Sequence, residues 1–498
     1  MLKYPPPIRA LFLLPICVLV LLSCTNIQKD TLRFGLSSMP VTLDPRFATD
    51  AASARINRLI YRRLVDFDEA AMVAPDLAVW RKISPTHYRF VLGEGGRQFS
   101  DGTRLDAGDV KATYEFILDT NNASPHRISL SHIRQIVAVD DNTIDFFLDK
   151  SDTLFPGRLI IGIVPEHLIK EQHPFNQQPV GSGSFTLSSW ADDTRLQLTR
   201  LSDGQHLEFI HVPDPTVRVL KLLRGEIDMI QNDLPPELVS YLDQQQDLHV
   251  QKGTGSNFVY LGFNMNDATV GRLEVRQAIA HAIKREDIIK YVLGDAAHSA
   301  NALLPPDHWA GNPGLLSYPY DPAESRRLLH EAGYTGDNPP HIIYKTSSDP
   351  FRLRLATIIQ QQLADVGIRV ELRSYDWGTF YGDIMSGNFQ MYSLMWVGIK
   401  IPDIFHYVFH SSAIPPQGAN RGRFISQIAD ELIETAEASD SITDQAQYYR
   451  ELQGYLHEQL PYVPLWYEDH VFISRADITG YDIAKDGNYD GLVNVHRR

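Results

Sequence analysis

A chain of 498 residues, 43% hydrophobic and 21% charged, is long enough to bury two or three domain-sized cores. Its formal net charge of −15 comes without any basic cluster, which argues against nucleic acid as a partner. Only two cysteines are present, too few for a disulfide framework or a cysteine metal cluster.

The N-terminus reads as an export signal. Lys3 and Arg9 precede an apolar run over 10–22, which ends in Leu21-Leu22-Ser23-Cys24. A basic stretch, a short apolar stretch and a small residue before a cleavage point form the secretory pattern. The run is shorter than the roughly 20 residues a membrane-spanning helix needs, so an uncleaved anchor is disfavoured. The Leu-x-Ser-Cys ending resembles a bacterial lipobox. That resemblance implies a signal peptide over 1–23, lipid on Cys24 and a short polar tether over 24–30. Cys17 leaves with the signal, so the mature chain has no cysteine pair. A multiply acylated cysteine is a durable membrane anchor.

The pattern beyond is mixed α/β. "TLRFGLSS" from Thr31 is strand-like, and a helix is expected over 51–64. Residues 80–92 read as a strand pair around Pro85. Asp106 is a natural N-cap for the helix that follows, with Asp109 favourably in its first turn. Alternating runs around Asp141-Asn142 and around residues 191–193 predict two hairpins. In the second half, one continuous helix is expected over 273–293, from the stripe Ala278, Ile279, Ala282, Ile283, Ile289 and Val292. "RLATIIQQQLADVG" is a second helix ended by Gly367, and "IRVEL" is a strand after it. A third helix stripe is Ile425, Ile428, Leu432, Ile433 and Ala436. All three stripes are expected to be core. There is no fixed-period repeat and no long linker, so domains are expected to exchange chain at short crossings.

In order, these blocks resemble the family 5 extracellular solute-binding proteins, the peptide, oligopeptide and nickel receptors of ABC importers. The carriers are "APDLAVWRKISPTHYRFVLGEGGRQFSDGTRLDAGDVKATYEFILD" from Ala74, "VGSGSFTLSSW", "VRVLKLLRGEIDM", "NMNDATVGRLEVRQAIAHAIKREDIIKYVLG", "YDPAESRRLLHEAGY", "QQQLADVGIRVEL" and "LPYVPLWY". The resemblance implies an α/β, two-lobed type II periplasmic-binding-protein fold with an extra subdomain on lobe I. It implies a lobe I core from 31–48, 179–263 and 471–498, an extension from 49–178, and lobe II from 264–470. The hinges would lie near 263–266 and 468–472.

The same resemblance implies the site. Ligand main chain would pair with Thr49, Asp50 and Ala51 of lobe I and with Met395, Trp396 and Val397 of lobe II. Trp377 and Trp396 match positions where the family lines its pocket with indoles. Peptide receptors of the family carry an Asp three residues after the lobe II tryptophan, which neutralises the peptide amine. Here that position is Ile399. A buried ammonium without a counter-charge is costly. Asp403 or Asp50 would have to replace the missing Asp, or the ligand has a blocked or missing amine or is a small non-peptide solute. Arg421 and Arg423, in "GANRGRF", are candidate grips for an anionic ligand end. An arginine in "SSDPFRLR" is not assigned. Asp403, His406 and His410 share a face if "DIFHYVFH" is helical, a weak metal pattern set against ordinary helix packing.

Catalytic motifs are missing. There is no Gly-x-Ser-x-Gly elbow, no His-Glu-x-x-His and no Walker loop. The expectation is a monomeric, non-enzymatic receptor without cofactor or bound metal. It would be lipid-anchored and extracytoplasmic, delivering a peptide or peptide-like solute to ABC permease subunits. The competing classes are a secreted hydrolase with a dispersed carboxylate site and a receptor feeding a sensor.

Overall fold

The computed structural model describes residues 31–498; the signal, lipidation and tether expectations lie outside the described residues. One eleven-stranded mixed sheet runs through the molecule. At one edge are Arg369–Tyr375, His341–Ser347 and Met391–Trp396, and at the other are His206–His211, Arg195–Arg200 and Phe185–Asp192. Between them, two long antiparallel strands, Leu248–Phe263 and Tyr462–Arg475, belong to both halves.

The pairing of those two strands breaks register between Gly253 and Asn257, opposite Glu468–His470. The chains come close there: a Cβ on Gly255 would meet the Glu468 carbonyl oxygen at 2.1 Å. The expected boundary after residue 263 is corrected by this geometry. Phe258 to Phe263 already pair with Met391–Trp396, and Val259, Leu261 and Phe263 are buried in the second lobe's core with Ile279, Ile342 and Met391.

The first lobe's core gathers Phe34, Leu59, Phe209 and Phe472. Its extension is a four-stranded antiparallel sheet, Ala78–Ser84, His87–Leu92, Thr143–Leu148 and Ile133–Ala138, covered by the helix Ala107–Leu118. The N-cap expectation holds: Asp106 accepts from Gly108 N and Asp109 N, and Asp109 reaches back to the Asp106 N–H. The extension's own core spans Leu64 to Ile163, so the helix Ala51–Ile60 belongs to the first lobe rather than to the extension. That helix stops at Ile60, earlier than the expected 64, because Tyr61 is extended.

Two further expectations are corrected. The single helix over 273–293 is two helices, Leu273–Ala282 and Arg285–Tyr291. The Arg285 guanidinium is buried and donates to the carbonyls of Ala280, Ile283, Tyr318 and Pro464, capping the first helix's C-terminus. The third stripe is only half core. The helix Gln427–Ala438 buries Ala429, Ile433 and Ala436, while Ile425 lies before its start and Ile428 is turned outward, 71% and 53% exposed. Gly367 follows the helix Pro350–Asp365 with φ +95°, the left-handed geometry expected of a C-terminal stop.

Candidate ligand cleft

The helix Ala51–Ile60 lies along the boundary between the lobes. Asp50 caps it by accepting from Ser53 N at 2.8 Å. Its residues Ala51, Ala52 and Arg55 line one cavity of about 770 Å³. Ala54, Asn57 and Arg58 line a second, of about 570 Å³. From the other lobe, the end of the strand Met391–Trp396 serves both. Successive strand side chains point to opposite faces. Met395 lines the larger cavity, Trp396 the smaller, and Val397 both.

The larger cavity is rich in carboxylates: Asp50, Asp233, Asp349, Glu468 and Asp469 line it, against Arg55 and Arg352. Arg352, in the unassigned "SSDPFRLR" segment, is held by Glu468 at 2.8 Å. The smaller cavity has the opposite lining. Arg58, Arg63, Arg158 and Lys400 face it, with Asp403 the one carboxylate among its lining residues. Sequence reading missed this group, because its members come from three stretches of chain, around 58–63, 158 and 400, with no shared local pattern.

The sequence-derived residues divide. Asp50, Ala51, Met395, Trp396, Val397 and Asp403 line a cavity; Thr49 is exposed and lines neither. Trp377 is 59% exposed, stacks on Tyr381 and also lines neither. Arg421 stands behind the wall. It is 7% exposed, with its guanidinium 4.7 Å from the Trp396 ring. It donates to the hydroxyls of Tyr260 and Tyr381, both at 3.2 Å. Arg423 folds back on the carbonyls of Arg421, in its own loop, and of Met385, in the helix Trp377–Ser386, with φ +56°. Ile399 lines the smaller cavity and packs on an apolar cluster.

Asp403 is already paired, with Arg158 of the extension at 2.7 Å. Burial pushes the Asp403 carboxyl above the usual carboxylate range, and the Arg158 charge opposes that rise. Asp403 is therefore engaged across the lobes rather than free for a ligand amine. His406 and His410 do share a face, their rings stacked 4.2 Å apart, but they turn to Glu437 and Glu434 of the helix Gln427–Ala438. Among the described residues, no three His, Cys, Asp or Glu side chains are grouped to hold a metal ion.

Comparison with known proteins agrees with this architecture. A dipeptide-binding protein of Escherichia coli is 26% identical over 507 residues, covering 93% of this chain and 94% of the relative. Heme-binding protein A of Haemophilus influenzae is 26% identical over 512 residues, covering 94% of this chain and 92% of the relative. Among solved structures, a periplasmic binding protein of Helicobacter pylori in complex with the peptide STSA superposes with TM-score 0.74 at 26% identity, covering 94% of this chain and 98% of that one. HbpA2 of Haemophilus parasuis gives TM-score 0.82 at 24% identity, with 94% and 100% coverage. The description "Bacterial extracellular solute-binding proteins, family 5 Middle" fits residues 73–413. With its two-lobed α/β fold and interlobe cleft, the chain belongs to the family 5 extracellular solute-binding proteins.

Proposed function

We propose that the protein captures a peptide or peptide-like solute between its lobes and delivers it to the permease of an ABC importer. The observation that carries this reading is that both cavities are walled by both lobes. A ligand that touches both lobes favours the closed state, because only there does it make its full set of contacts. The strand crossings at 253–257 and 468–470 are where closure would turn. Main-chain pairing beside Met395–Val397 and Asp50–Ala51 accepts varied side chains, which suits a receptor for peptides. Relatives named for dipeptides and for haem support a solute-binding role without turnover.

In this reading the protein works outside the cytoplasm as a monomer, tethered through lipid on Cys24. Two experiments test it. Mass spectrometry of material that co-purifies from the native host is expected to find a short peptide or a peptide-like acid. Calorimetry with that compound is expected to show saturable binding without hydrolysis. Product release on prolonged incubation would overturn the receptor reading. For the anchor, Cys24→Ser is expected to leave the membrane fraction; retention there would overturn lipidation.

A further inference from the structure

We infer that the cavity beside Ile399 receives the anionic end of the ligand, and that Arg63 selects it. This rests on the solute-capture reading and fixes the ligand's polarity within it.

Arg63 lines the smaller cavity and is 8% exposed. Its Nη2 donates to Asp66 at 2.8 Å. Its Nε and Nη1 are buried without a hydrogen-bond partner. A guanidinium N–H left unpaired away from water is costly, and an oxyanion is the group that best satisfies it. Trp396, which lines the same cavity, also has a buried Nε1 donor without a partner.

The charges around them point the same way. Arg58 is held by Asp66 and Asp490, Arg158 by Asp152 and Asp403, and Lys400 by Asp486. Of these carboxylates only Asp403 lines the cavity. The cations line the cavity and most of their counter-charges do not. Arg421 adds a positive charge behind the indole wall, with no carboxylate within ion-pair reach among the described residues. Across Val397 the lining changes sign, to the carboxylates of the larger cavity. A ligand with one anionic and one cationic end is thus oriented with its anion beside Ile399. An ammonium placed there would meet four cations and an apolar side chain, and the one carboxylate on the wall, Asp403, is already paired with Arg158.

The test uses two matched sets of short peptides. One set is N-acetylated with a free carboxylate; the other has a free amine and a C-terminal amide. Thermal shift and calorimetry on the wild type are expected to show binding of the first set and little of the second. Arg63→Met is expected to weaken the carboxylate set tenfold or more, with Arg63→Lys between it and the wild type. Ile399→Asp, at a half-buried cavity wall, keeps Arg63 and its ion pairs in place. It is expected to weaken the carboxylate set about tenfold and to admit the amine set. If Arg63→Met does not fold, Ile399→Asp decides. Wild-type binding of the amine–amide set as tight as the carboxylate set would overturn the polarity while leaving peptide capture intact. So would unchanged affinity in both Arg63→Met and Ile399→Asp. Binding of neither set would overturn peptide capture, and the polarity with it.

Discussion

Trp396 joins two structures in one side chain: its ring walls the smaller cavity on one side and carries the Arg421 guanidinium on the other. Cation–π contact of this kind stabilises a desolvated arginine that lacks a carboxylate. Trp396→Ala is expected to weaken ligand binding by about 1–3 kcal/mol, the range for burying a large side chain. Calorimetry reads this directly. Global unfolding of the variant would instead make the indole a core residue. His406 offers a pH test. The Glu437 carboxylate raises its pKa above the ordinary 6.5, with burial and Lys150 working against the rise. A histidine whose folded pKa is raised adds stability fully present below its unfolded pKa and lost as pH rises through the folded value. The stability difference between wild type and His406→Gln is therefore expected to be largest below pH 6.5 and to shrink above it. Urea midpoints across that range check the direction. His406 is partly exposed, so the effect is small.

At the scale of elements, helix positions were easier to read than helix ends and faces. The apolar period over 273–293 is real, since Ala278, Ile279, Ala282 and Ile283 are all buried. The break after Ala282 depends on Arg285, whose carbonyl partners at Tyr318 and Pro464 lie far along the chain. No local pattern announces an arginine that caps from inside the core. Arg285→Ala is expected to destabilise the protein by about 2–4 kcal/mol, since it leaves several buried carbonyls unpaired and opens a cavity. Chemical denaturation measures this; a loss below about 1 kcal/mol, the size of a single net hydrogen bond, would show that the carbonyls find other donors. The outward turn of Ile428 has a simpler origin. The helix Gln427–Ala438 packs on Ile442–Gln459 through Ala429, Ile433 and Ala436, and that contact fixes its rotation.

At the scale of the whole molecule, direct contacts join the extension to the second lobe. Arg158 meets Asp403 at 2.7 Å, Lys82 and Ser151 meet Asp440, and Thr153 donates to the Ser439 carbonyl. The half-buried pair should matter most, because exposed pairs are screened and weak. Arg158→Met is expected to favour the open state, read as a larger radius of gyration by small-angle scattering without ligand. An unchanged radius would assign closure to the remaining contacts. The order of blocks such as "FSDGT", "VGSGSF" and "VRQAI" already implied two α/β lobes, and the Met395–Val397 stretch at the cleft was legible through the same resemblance. Local chemistry also fixed the Asp106 cap and the Gly367 stop, since caps and left-handed turns need only neighbouring residues. The rest depended on distant partners. Asp403 looked free in the sequence and is spent on Arg158, 245 residues away. Arg421 looked like a loop cation and is buried behind an indole. Arg58, Arg63, Arg158 and Lys400 come together only when the first lobe and its extension fold against the second lobe. Sequence by itself determined the family, most of the elements and the strand whose end lines the cavities, because these rest on local periodicity and motif order. Tertiary structure alone decided which charges face the cleft, because a charge's role depends on which counter-charge the fold brings within a few ångströms.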